Sequence, residues 1–222
     1  MSSDGSKLYI ANEDDNLVTV CDVDTREKLI EIPVSIEPEG IGLSLDGSLL
    51  VGTPETTNMA DFIDTETLEI IDNVVVDARP RMAQFTTDDS AVWVPSEIDG
   101  TVAVISAVTR EVKTTISFEI ASLRSESIQP VGIAIADDGS DLVYVTLGLS
   151  ARVAVVNATT YEIEDYLLVG SRVWNISFLP DRIRLLTTNG VSGDVSVKDV
   201  EKRRVIKSVK VDRFPSGVVV GP

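Results

Sequence analysis

Apolar and polar residues alternate with a period of two along most of this chain. Leu17-Val18-Thr19-Val20, Thr101-Val102-Ala103-Val104-Ile105 and Arg152-Val153-Ala154-Val155-Val156 carry the pattern most clearly. Runs this short and this rich in β-branched residues predict half-buried strands. Between residues 40 and 76 four of them follow one another, at 40–45, 49–53, 59–63 and 69–76. Asp-Gly pairs and Asp-Thr-Glu clusters separate them, and both favour tight reversals. The expected element is an antiparallel meander of four strands, A to D in chain order.

The meander repeats. A turn pair recurs as Asp4-Gly5, Asp46-Gly47, Asp88-Asp89, Asp138-Gly139 and Pro180-Asp181, with steps of 42, 42, 50 and 43 residues between the aspartates. Val20-Cys21-Asp22, Ile63-Asp64, Ile105-Ser106, Val156-Asn157 and Lys198-Asp199 follow with steps of 42, 42, 51 and 42. A proline loop is the third marker: Glu37-Pro38-Glu39, Arg79-Pro80-Arg81, Gln129-Pro130-Val131, Arg172-Val173-Trp174 and Arg213-Phe214-Pro215. Three markers on one period indicate a repeat architecture. Four antiparallel strands in about 42 residues is the size of a β-propeller blade, whereas a β-sandwich imposes no strict period. The first copy lacks strand A, and residues 216–220 form an A-type run with no strand B after it. The predicted fold is therefore all-β: one β-propeller domain over residues 1–222, with about five blades. Its ring would close by pairing the C-terminal strand into the N-terminal blade, which removes exposed strand edges.

Strand parity places the D–A and B–C loops of every blade on one face. The D–A loops, nearest the axis, carry Glu37, Glu39, Arg79, Arg81, Gln129, Arg172, Trp174 and Arg213, and the longer loop of residues 119–129 adds Arg124. Five of the 12 arginines thus fall in one class of loop. Guanidiniums gathered around a funnel suit a multiply charged anion. The competing reading pairs them with Glu37, Glu39, Glu55 and Glu97 and makes them stitches between blades.

Composition narrows the chemistry. The net charge of −17 leaves no basic footprint for nucleic acid and argues against docking on anionic lipid. No histidine is present, which removes Ser-His-Asp triads and most zinc or copper sites. No metal ligand set and no catalytic residue is assigned, and no apolar run reaches membrane-spanning length. Cys21 stands alone in an apolar alternation and reads as a small core residue. Trp93, Tyr9 and Tyr144 occupy one position of strand B and read as packing between blades.

Asp4-Gly5-Ser6-Lys7-Leu8-Tyr9-Ile10-Ala11-Asn12 followed by Leu17-Val18-Thr19-Val20-Cys21-Asp22 resembles the repeat of the YVTN family of β-propellers. Glu55-Thr56-Thr57-Asn58-Met59-Ala60, Val76-Asp77-Ala78-Arg79-Pro80-Arg81 and Thr188-Asn189-Gly190-Val191-Ser192 are similar to the branch associated with PQQ-dependent catabolism. The resemblance implies a periplasmic protein of about seven blades that works beside quinoprotein alcohol oxidation. A quinoprotein dehydrogenase or a cytochrome would be its partner; PQQ, with three carboxylates, would fit the arginine loops, as would haem-type propionates. This chain has about five repeats, and Met1-Ser2-Ser3-Asp4-Gly5 lacks the basic and apolar regions of a signal peptide. A complete chain of this kind would stay in the cytoplasm. The expected role is a non-catalytic binding or scaffold protein with an Arg-lined funnel face. The alternative is a propeller enzyme, such as a lactonase-type hydrolase or a cofactor-handling factor, with Glu37, Glu39, Glu55 and Glu97 as the candidate bases.

Overall fold

The computed structural model describes residues 1–221, and these fold into nineteen strands in five antiparallel sheets. Two compact units divide them, Met1–Ile116 and Ser117–Pro222. In the first unit lie a three-stranded sheet of β1 (Lys7–Asn12), β2 (Leu17–Asp22) and β3 (Lys28–Pro33) and a four-stranded sheet of β4 (Pro38–Leu43), β5 (Leu49–Pro54), β6 (Met59–Asp64) and β7 (Ile70–Val75). A third sheet joins β8 (Gln84–Phe85), β9 (Ala91–Ser96), β10 (Thr101–Ser106) and β11 (Val112–Ser117). The second unit has β12 (Pro130–Ile135), β13 (Leu142–Leu147), β14 (Arg152–Asn157) and β15 (Ile163–Leu168), then β16 (Val173–Phe178), β17 (Arg184–Asn189), β18 (Asp194–Asp199) and β19 (Arg204–Lys210). Each sheet is a meander in sequence order, as the alternation predicts, and the set fits a propeller of about five blades.

The sequence markers are local backbone devices. At each A–B turn an aspartate accepts the N–H two residues on: Asp4 from Ser6, Asp46 from Ser48, Asp88 from Ser90, Asp138 from Ser140 and Asp181 from Ile183. At each C–D turn a short polar side chain caps the N–H three residues on, from Asp22, Asp64, Ser106, Asn157 and Asp199. The next residue then takes a left-handed conformation: Arg26, Leu68, Arg110, Tyr161 and Arg203 all have φ between 49° and 62°. Asp, Asn and Ser recur there because a short acceptor stabilises the turn without a ladder partner.

Inner strands pack through glycine. A Cβ on Gly40 would lie 2.5 Å from the Arg81 carbonyl oxygen, and one on Gly132 would lie 2.7 Å from that of Trp174. Thr146 Oγ1 seals the second approach, accepting from Gly132 N at 2.7 Å and donating to Trp174 O at 2.7 Å. Apolar cores fill the space between successive sheets within each unit. In the first, Phe62, Val74, Phe85, Val92 and Val94 pack together; in the second, Tyr144 meets Phe178 edge-on at 5.7 Å. Trp93, Tyr9 and Tyr144 are buried, as expected.

Three expectations need correction. The A strand of the third copy, expected to match the run at 40–45 one repeat earlier, shrinks to Gln84–Phe85 plus an isolated bridge from Pro80 to Ser96. Its partner strand carries Pro95, which accepts a bond from Arg81 N at 3.0 Å but has no N–H to return. Residues 216–220, expected as an A-type strand, form no strand in the structure. Ser216 nonetheless takes the inner-strand position: its carbonyl accepts from Thr188 Oγ1 at 3.2 Å, as Trp174 O accepts from Thr146. Cys21 is half-buried, at a register shift opposite β3, and lies outside the core.

Candidate functional site

The proline loops and the B–C turns meet on one face of each sheet, as parity requires. Glu55 N donates to Glu37 O at 2.8 Å, Glu97 N to Arg79 O at 2.9 Å and Gly190 N to Arg172 O at 2.8 Å. Glu37, Arg79 and Arg172 share a left-handed backbone, with φ of 61°, 63° and 54°. The fifth member is Phe214, at φ 52°, so Arg213 lies one residue before the position that Arg79 and Arg172 hold. The loop at Glu37 points its carboxylate to the Thr56 hydroxyl.

In the first unit the arginines are met by acids. Arg79 donates from Nε to Glu55 Oε2 at 2.9 Å and from Nη2 to Oε1 at 3.5 Å. Arg81 Nη1 donates to the same Glu55 oxygen at 2.8 Å and also contacts Glu39 Oε2. The Glu97 carboxylate lies 3.6 Å from Arg79 Nε and 3.5 Å from Arg81 Nε. Side-chain exposure is 3% for Glu97, 10% for Arg81 and 42% for Arg79, so the network runs from the interior to the surface. Burial, with a hydrogen bond to Glu55, pushes Glu39 up to about 8 against the pull of Arg81. Burial also raises Glu55, but hydrogen bonds from Glu39 and Arg79 and the charges of both guanidiniums outweigh it and hold Glu55 below the usual range. Burial of this kind makes the network strong only while every partner is present.

The second unit is built differently at the same positions. Glu55 and Glu97, the two acids of Arg79, correspond by repeat spacing to Gly148 and Gly190 around Arg172. Glycine opens room that other side chains fill: Gly190 lies against the Trp174 indole, where a Cβ would be 2.7 Å from Nε1, and Gly148 lies against Gln129. The Arg172 guanidinium stacks over Trp174, 4.5 Å from the ring centroid, in cation–π geometry. Gly190 also lines an open pocket of about 400 Å³ with Ser192, Lys210, Asp212, Arg213 and Phe214. Lys210 Nζ donates to Ser192 O at 2.6 Å, and Asp212 Oδ1 accepts the Arg213 N–H at 2.8 Å. Neither Lys210 nor Arg213 forms an ion pair with a described residue, and Phe214 is 69% exposed. Arg124 is exposed before a single 3-10 turn, Ser125–Ser127, and the Gln129 side-chain oxygen is buried without a hydrogen-bond partner.

Two cations escaped the sequence reading. Lys210 ends β19, where the other four copies have Pro33, Val75, Ser117 and Leu168, so an aligned comparison of the copies would have found it. Lys198 stands where the other copies have Cys21, Ile63, Ile105 and Val156, and it is buried. Its Nζ reaches Leu168 O at 3.4 Å, and burial pushes its pKa down to about 8. Among the described residues no group of three or more His, Cys, Asp or Glu side chains is placed to hold a metal ion.

No known family and no curated protein matches the sequence. Solved structures do. Hydrazine synthase of Kuenenia stuttgartiensis is similar with a TM-score of 0.81 at 18% identity, over 96% of this chain and 64% of that one. A functionally unknown protein from Desulfotomaculum acetoxidans is similar with a TM-score of 0.79 at 16% identity, over 93% of this chain and 67% of that one. The chain thus spans about two thirds of the length of each. At this identity the likeness shows the fold alone, and it agrees with a β-propeller-like architecture.

Proposed function

We propose that this chain is a non-catalytic binding protein and that its ligand is a multiply charged anion seated in the loops of the second unit. The observation that carries the reading is the pocket where Lys210 and Arg213 stand beside Gly190, with the Arg172–Trp174 stack behind it. Two cations against one acid, with the Phe214 ring at hand, suit a planar polycarboxylate. Glu39, Glu55 and Glu97 are tied to Arg79 and Arg81, which favours binding over hydrolysis. Membership of the YVTN family, in its branch linked to PQQ-dependent catabolism, belongs to the same proposal. The recurring turns and proline loops support it, and it carries a periplasmic location and a quinoprotein dehydrogenase or cytochrome partner. Calorimetric titration with PQQ tests the ligand. Wild type should bind, and Lys210→Ala with Arg213→Ala should weaken binding at least tenfold at an unchanged melting temperature. No binding by wild type, or equal binding by the double variant, rejects the pocket.

Ring closure is the second element of the proposal. Pro215-Ser216-Gly217 repeats Pro38-Glu39-Gly40 and Pro130-Val131-Gly132, so residues 216–220 have the sequence of an inner strand. The first sheet has three strands and an open inner edge at β1. By the register of β4 on β5, in which Ile41 faces Gly52, Val218 would face Ile10. With Cys21 replaced by serine, Ile10→Cys and Val218→Cys should form a disulfide within one chain under oxidation. A bond between chains, or none, contradicts closure.

A further inference from the structure

The cluster at the second and third sheets holds three carboxyl groups, from Glu39, Glu55 and Glu97, against two guanidiniums, from Arg79 and Arg81. Fully ionised, it would carry a net charge of one negative in a largely buried place. A single bound proton makes it neutral, and desolvation favours neutrality. Geometry says where that proton sits. The Oε2 atoms of Glu39 and Glu55 share Arg81 Nη1, so the two carboxyls are pressed together, while Glu97 lies on the Nε side. Glu55 pairs with both arginines and stays ionised; Glu39 pairs with Arg81. Glu13, from the loop between β1 and β2, adds a further negative charge toward Glu39.

We propose that the Glu39–Glu55 pair keeps one proton in the folded protein at neutral pH and releases it reversibly in mild alkali, so that the bond between these two sheets is proton-operated. Like charges in contact cannot both ionise cheaply, and one shared proton resolves the conflict. The elevated value of Glu39, about 8, agrees. A carboxyl raised in the folded state makes stability fall as pH climbs from the ordinary carboxylate range to about 8, and leaves it level above that. Glu55 has the opposite sign: its contribution is present at neutral pH and is lost only as acid protonates it. Between pH 6 and 9, Glu39 therefore sets the slope of this cluster.

The device is independent of the anion pocket and can fail without it. Carboxyl carbon-13 NMR of wild type should show one glutamate, assigned as Glu39, titrating near pH 8. In urea unfolding from pH 6 to 9.5, wild type should lose stability relative to Glu39→Gln, which keeps a donor toward Glu55 but no titrating proton. Glu55→Gln should lower the Glu39 midpoint, because it removes the shared proton's partner and its charge while burial still holds the carboxyl up. Every glutamate titrating below pH 6, or parallel stability profiles for wild type and Glu39→Gln, overturns the proposal. The NMR arm stands even if a variant fails to fold.

Discussion

Gly40→Val is expected to be among the most damaging single substitutions in the first unit. Its Cβ would sit 2.5 Å from Arg81 O, 2.7 Å from Met82 Cα and 2.8 Å from Thr53 Oγ1. Two of these three are backbone atoms that cannot rotate away. The Thr53 hydroxyl is also committed, accepting from Gly40 N at 3.0 Å and donating to Gly40 O at 3.1 Å. Overpacking alone costs roughly 1–3 kcal/mol, and loss of the threonine bridge adds about 1 kcal/mol more. The urea midpoint should fall by an amount equivalent to about 3 kcal/mol. Gly52→Ala is the control: its Cβ meets nothing within 4 Å, so the change should be neutral or slightly stabilising. A wild-type midpoint for Gly40→Val would mean that the inner strands do not pack as described.

Arg81→Ala should have the second large effect, and through charge rather than shape. It removes the guanidinium that touches all three carboxyls and takes one positive charge from beside Glu55 and the Glu97 side chain, which is 3% exposed. Breaking a buried network by deleting one partner costs about 3–5 kcal/mol. Chemical denaturation should show a loss of that size. The double variant Arg81→Ala/Glu97→Gln should recover part of it, because a buried negative charge is removed together with the positive one. Arg213→Ala, at an exposed loop, should leave stability within about 0.5 kcal/mol of wild type. Equal, small effects of Arg81→Ala and Arg213→Ala would remove the distinction between the loops of the first unit and those of the second.

That distinction explains what the sequence could and could not tell. Strands and turns were legible because their causes are local. Alternating apolar residues make the strands, and Asp22, Asp64, Ser106, Asn157 and Asp199 cap their own turns. Loop parity was legible for the same reason. The shortened β8 was not, since its cause is Pro95 in the opposing strand. Arg79, Arg81, Arg172 and Arg213 look alike in a sequence, but what faces them is set by the neighbouring copy. Glu55 and Glu97 answer Arg79, while Gly148 and Gly190 hold the matching positions around Arg172. Position-by-position comparison of the copies contains that difference; a count of arginines does not.

Amide chemical-shift mapping during titration with PQQ tests the central claim most directly. The account predicts saturable shifts at residues 190–193 and 210–214, with the Trp174 indole N–H moving with them and residues 37–39, 55, 79–81 and 97 still. Shifts centred on the Arg79–Arg81 loop, or none at a PQQ concentration well above that of the protein, would contradict it.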